Sequence, residues 1–128
     1  MTQLMLVTAD KNRFADFAEG IESFGGTVRW ASTGEQAVTL LTEENVALVV
    51  ADEDLGDMTG LSFADRLVRV NPLINSAVVS SLTKEEFHEV SEGLGILMAL
   101  PPEPNKSDAE RLMTHLSQII DVTEKALK

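Results

Sequence analysis

The chain contains no cysteine and no tyrosine, and it has only 1 tryptophan and 2 histidines. Without cysteine there can be no disulfide, zinc–thiolate site, iron–sulfur cluster or cysteine nucleophile. The two histidines, His88 and His115, stand in separate segments and leave little for a histidine-based metal site. Each reads as structural or solvated. Basic residues are also scarce, with 10 Lys+Arg against 21 Asp+Glu and a formal net charge of −11. Such a charge repels phosphate backbones and anionic bilayers, so neither nucleic acid nor a membrane is expected as partner. The longest wholly apolar run, Val46 to Ala51, falls far short of the ~20 residues a membrane helix needs. Met1-Thr2-Gln3-Leu4 shows no basic segment leading into a long apolar stretch. No secretory signal is read there, and the cytoplasm is the expected location. What remains is an ordinary globular composition over 128 residues, 44% hydrophobic and 24% charged, which predicts one soluble domain (1–128) with one core.

Apolar runs and helical stripes alternate along the chain. Leu4-Met5-Leu6-Val7 reads as a strand buried on both faces. Phe14, Phe17, Ala18, Ile21 and Phe24 form one stripe of a helix that Gly25-Gly26 ends. Thr27 to Ala31 is a weaker strand whose alternation suggests an edge, and it carries Trp30 as a core or surface residue. Two overlapping capping patterns, Ser32 with Glu35 and Thr33 with Gln36, open the second helix. Val46 to Ala51 is the strongest strand, followed by the acidic turn Asp52-Glu53-Asp54-Leu55-Gly56-Asp57. The third helix turns Leu61, Ala64, Leu67 and Val68 inward and closes at Asn71-Pro72. Ser76 to Ser80 is the fourth strand. Thr83 to Glu86 is a capping box for a helix with Phe87 and Val90 on its apolar side. Ile96 to Leu100 is the fifth strand, stopped by Pro101-Pro102. Ser107 to Glu110 caps a last helix with Ala109, Leu112, Met113, Leu116, Ile119 and Ile120 inward. Five β-then-α units predict an α/β fold, a five-stranded parallel sheet of order 2-1-3-4-5 with helices on both faces.

In such a sheet ligands bind beyond the carboxyl ends of the strands, where the strand order reverses. Asp10 follows strand 1 and Asp52 follows strand 3, so the two carboxylates are expected to converge there. Two carboxylates ~4 Å apart repel by roughly 4 kcal/mol at an effective dielectric near 20, and a hard cation such as Mg²⁺ would relieve this. The plainer alternative is that both acids only cap the helices that follow. Four carboxylates in the turn, Asp52, Glu53, Asp54 and Asp57, are more than a turn needs.

The segment from Leu48 through Asp52, Leu55 and Gly60 to Leu61 resembles the phosphoacceptor region of bacterial response-regulator receiver domains, the CheY-like family. Its pattern is an apolar strand, an Asp, a Leu three residues on, usually a Pro at four and a Gly at eight. Asp52, Leu55 and Gly60 match, and Gly56 stands where the Pro is usual. The order and lengths of all five units fit as well. The resemblance implies that Asp52 accepts a phosphoryl group from a sensor histidine kinase or phosphotransfer protein. It implies further that Asp10, Asp52 and the carbonyl of Asp54 hold Mg²⁺, and that the Ser80 hydroxyl (rather than adjacent Ser81) hydrogen-bonds the acyl phosphate. On this view the chain is a phosphoacceptor and not an enzyme. A downstream protein partner is expected, and receivers often pair through the helix 4–strand 5–helix 5 face.

Three positions depart from the family. Receivers place two acids after strand 1, and the first aligns here with Ala9. The Lys-Pro after strand 5 is replaced by Pro101-Pro102, which supplies neither charge nor N–H. The strand-5 aromatic aligns with Met98. Lys11 and Lys84 lie near the same sheet end, either as solvated loop residues or within reach of the site. The resemblance also implies a cis Pro101–Pro102 bond. These losses leave two readings: a weakened, Mg²⁺-dependent acceptor, and a phosphorylation-independent interaction module. A third, in which Asp52-Glu53-Asp54 acts as the Asp-x-Asp motif of a haloacid-dehalogenase-like phosphatase, fits neither its position nor the chain length.

Overall fold

A computed structural model of the chain describes the backbone of residues 3–127 and the side chains of residues 3–118. Strands β1 (Gln3–Val7), β2 (Thr27–Ala31), β3 (Leu48–Ala51), β4 (Asn75–Val79) and β5 (Ile96–Leu100) pair in parallel in the order β2-β1-β3-β4-β5. Between them run a 3₁₀ turn (Lys11–Phe14), α1 (Ala15–Ser23), α2 (Gly34–Leu41), α3 (Gly60–Val70) and α4 (Lys84–Ser91). Helix α5 (Lys106–Leu127) closes the chain.

Alternation along the strands divides the core into two layers. Leu4, Leu6, Leu48, Val50, Ala77 and Val79 face Phe14, Phe17 and Ile21 on the α1 side and Leu112 and Leu116 of α5. Met5, Val7, Val49 and Ala51 face Ala37 of α2 and Phe63 and Leu67 of α3. Each fully buried Leu or Phe here contributes about 1.5–3 kcal/mol relative to exposure. On the β4–β5 side the third cluster is small: Ala64, Val78 and Phe87.

Side chains fix the helix starts. Thr33 accepts the Gln36 N–H at 3.0 Å, and Gln36 reaches back to the Ser32 N–H, so the second of the two overlapping patterns operates. Thr83 and Glu86 form the expected capping box. The last helix is capped two residues earlier than expected. Asn105 accepts the Asp108 N–H at 3.1 Å, and the Asp108 carboxylate accepts the Asn105 N–H at 2.9 Å. Asn105 sits just outside the helix and is free to cap it, whereas Ser107 is already inside the first turn.

Other expectations shift by small amounts. Phe24 is 51% exposed, because α1 ends at Ser23 and the chain reverses at Gly25, whose φ is +85°. Phe63 takes the inward place on α3 and Val68 is only half-buried. Val90 is exposed on α4. Ser80 follows β4 instead of ending it. Ile119 and Ile120 lie outside the residues whose side chains are described. The Pro101–Pro102 bond is trans, contrary to the expected cis bond. Trans is the lower-energy form of X–Pro bonds, and the positive φ of 55° in this loop falls at Glu103. The β4–β5 ladder is irregular: Ile96 pairs with Ser76 and Met98 with Ala77, leaving Leu97 as an extra residue. Among the described residues no helix is long and apolar enough to cross a membrane.

Candidate functional site

Asp52 leaves the end of β3 and is 4% exposed. Its N–H donates to the Val7 carbonyl at 2.9 Å, which continues the β1–β3 ladder and sets Thr8 beside it. The Thr8 hydroxyl donates to Asp52 Oδ2 at 2.8 Å, and the Glu53 N–H donates to Oδ1 at 2.8 Å. The Arg13 guanidinium, on the 3₁₀ turn, brings Nε to 3.4 Å from Oδ2. Nε is buried and meets no acceptor at hydrogen-bond geometry. The Arg13–Asp52 attraction is therefore one of charge, and solvent screens part of it because a third of the Arg13 side chain is exposed.

Asp10 is exposed and does not bond to Asp52 among the described residues. Its carboxylate accepts the Asn12 N–H at 3.0 Å and so caps the 3₁₀ turn. Thr8 stands between the two acids: its Oγ1 accepts the Asp10 N–H at 3.1 Å while it donates to Asp52. Asp54 is also exposed, and its carboxylate accepts the Gly56 N–H at 2.9 Å in a turn where Gly56 has φ +88°. Among the described residues, no group of three or more His, Cys, Asp or Glu side chains gathers as a metal site. Asp52 already has a guanidinium beside Oδ2, and the Asp10 carboxylate is committed to its own turn. With the guanidinium in place, Asp52 does not fit a divalent ion.

Ser80 is buried beside the ends of β4 and β5. Its N–H donates to the Leu100 carbonyl at 2.9 Å and its hydroxyl accepts the Leu82 N–H at 3.1 Å. Ser81 is exposed, and both its N–H and its hydroxyl donate to Glu53 Oε2, at 2.8 and 2.9 Å. Glu53 thus clasps the β4–α4 loop to the β3–α3 loop. The acidic turn is explained residue by residue. Glu53 holds Ser81, Asp54 closes the turn, and Asp57 caps α2 by accepting the Gly34 and Glu35 N–H groups at 2.9 and 3.0 Å. Those two N–H bonds hold the Asp57 carboxyl below its usual 3.8. Glu35 in turn pairs with both terminal nitrogens of Arg66, whose guanidinium it holds above its ordinary value by hydrogen bond and charge. Gly60 is required where α3 begins: a Cβ there would lie 2.4 Å from the Asp52 carbonyl oxygen.

Lys11 does not reach the acids; its Nζ lies 5.2 Å from the centre of the Trp30 ring on edge strand β2. Lys84 lines a broad open groove between α4 and β5, which starts at Ser80 and Ser81 and runs past His88, Ile96 and Met98 to Pro101 and Pro102. Sequence reasoning missed Thr8, Arg13 and Glu53 as partners of the site. A signal for Arg13 was present. It lies next to Phe14, the first residue of the α1 stripe, and just past strand 1, where a helix start faces the strand ends.

No protein-family model and no curated protein matches this sequence. Solved structures do match. A response-regulator receiver domain protein (CheY-like) from Methanospirillum hungatei JF-1 superposes with a TM-score of 0.80 at 20% identity, covering 98% of each chain. A chemotaxis response regulator of Vibrio cholerae gives 0.80 at 14% identity, over 91% of this chain and 98% of that one. A protein described as one of a family of streptococcal redox sensors evolved from two-component response regulators gives 0.81 at 15% identity. It covers 98% of this chain and 55% of its own length. At these identities the likeness is one of fold, and the fold is that of receiver domains.

Proposed function

We propose that this chain is a receiver-fold signalling module that works by protein contact and does not require phosphorylation. The Glu53–Ser81 clasp carries the reading. In a phosphorylated receiver the phosphoryl group draws on hydroxyls at the end of strand 4. Here a carboxylate of the chain itself holds that loop, and the Ser81 hydroxyl already donates its proton to that carboxylate. Pro101-Pro102 offers no cation to a phosphoryl group. The open groove along α4 and β5 begins at the clasped loop and supplies the partner face. The partners this implies are a sensor kinase, a phosphotransfer protein or a downstream protein, in the cytoplasm, and the module performs no turnover. Another receiver-like protein, of which this chain matches 55%, is described as belonging to a family of redox sensors; this chain has no cysteine to sense a redox signal by thiol chemistry.

A second reading keeps Asp52 as a weakened acceptor. It rests on the place of Asp52 at the end of β3, beside the reversal of strand order, with the Ser80 hydroxyl at the end of neighbouring β4. One experiment separates the two. The protein is incubated with acetyl phosphate or beryllofluoride and Mg²⁺, then used to capture its partner as wild type, Asp52→Ala and Met98→Arg. The first reading expects no mass shift, capture by Asp52→Ala and loss of capture by Met98→Arg. An Asp52-dependent phosphoryl adduct with capture that needs it establishes the second reading and ends the first.

A further inference from the structure

We infer that Arg13 serves Asp52 as a tethered cation, supplying from within the chain the positive charge that a divalent ion gives to paired carboxylates elsewhere. The inference goes beyond the proposed function, and its failure is told apart from that of the proposed function because partner capture and metal response are separate measurements. Asp52 is buried, and a buried carboxylate needs a charge partner or enough hydrogen bonds to hold its charge. Thr8 and Glu53 supply one hydrogen bond each, and Arg13 supplies the charge. The surroundings are arranged to keep that charge in place. The Asp10 carboxylate caps the turn through the Asn12 N–H, and the Asp10 carbonyl accepts the Arg13 N–H at 3.2 Å. The acid that would have been a metal ligand instead fixes the turn that carries the guanidinium. Lys11, on the same turn, lies over Trp30, so the only indole reports whether the turn is in place.

Because Nε makes no hydrogen bond to Asp52, the requirement is for charge and not for guanidinium geometry. This sets the test. Thermal unfolding and Trp30 emission are followed as MgCl₂ is raised at constant ionic strength, for wild type, Arg13→Gln, Arg13→Lys and the double variant Arg13→Gln/Asp52→Asn. Wild type and Arg13→Lys should show no Mg²⁺ response. Arg13→Gln should melt lower than wild type and recover by about 3–6 °C once Mg²⁺ exceeds its dissociation constant ~10-fold. The double variant, with no carboxylate left unpaired, should melt above Arg13→Gln and ignore the ion. A wild-type response as large as that of Arg13→Gln overturns the inference, and so does an Arg13→Gln protein that is stable and indifferent to Mg²⁺. If Arg13→Gln does not fold, Arg13→Lys decides: wild-type emission without Mg²⁺ response supports the tethered cation, and unfolding or a gained Mg²⁺ response refutes it.

Discussion

On the β1–β3 side of the sheet all residues of β3, and all of β1 except Gln3, are buried, whereas on β5 only Leu100 is. The helices follow suit. Helix α1 buries Phe17, Ala18, Gly20 and Ile21, while α4 buries Phe87 alone. Asp52 belongs to the buried side, and the groove belongs to the exposed one. Glu53 joins them, its N–H on Asp52 and its carboxylate on Ser81. The two sides thus differ in how far the chain covers its own strands, and that difference can be measured.

The comparison breaks most sharply at two phenylalanines. Phe17→Ala should cost about 3–5 kcal/mol in urea unfolding, as a fully buried ring does, and Phe87→Ala markedly less, below about 3 kcal/mol. Equal costs would mean that α4 is as firmly seated as α1. Glycine sharpens the contrast further. Gly60→Ala pushes a methyl group into the Asp52 carbonyl and Val78, for an expected loss of about 1–3 kcal/mol, while Glu89→Ala on the groove side should stay within about 0.5 kcal/mol. The smallest effect lies in pH. The Asp57 carboxyl is lowered on folding by the Gly34 and Glu35 N–H groups, so its contribution is present above its unfolded value of 3.8. That contribution is lost as pH falls through the lower folded value. Asp57→Asn should therefore be less stable than wild type at neutral pH, and the gap should close as acid unfolding curves are extended below 3.8.

Much of this architecture was legible in the chain. Runs such as Val46 to Ala51 and the stripe from Phe14 to Ile21 are local patterns, and the Thr83–Glu86 box lies within one turn. The position of Asp52 was legible for the same reason, since a strand followed by an acidic turn is contiguous. Its partners were not. Thr8 meets Asp52 only because β1 and β3 are neighbours at a fixed register, and Ser81 meets Glu53 only across two loops. The charges of the acidic turn suggested an ion, but their hydrogen-bond partners within the chain were not legible. Asp54 closes a local turn, whereas Glu53 and Asp57 meet N–H groups and a hydroxyl that no spacing rule brings near. Lys11 left two readings open, a solvated loop residue or one within reach of the site, and its place over the Trp30 ring depends on the pairing of β1 with β2.

Leu97, the residue without a counterpart in β4, has an effect on the outer rim of the sheet. An edge strand with an unbroken row of free N–H and C=O groups templates the addition of further strands, and fibres grow that way. One surplus residue breaks the register of β5 on β4, and such bulges bend and twist the strand that carries them. A rim shaped in this way is a poor template for stacking against its own copies.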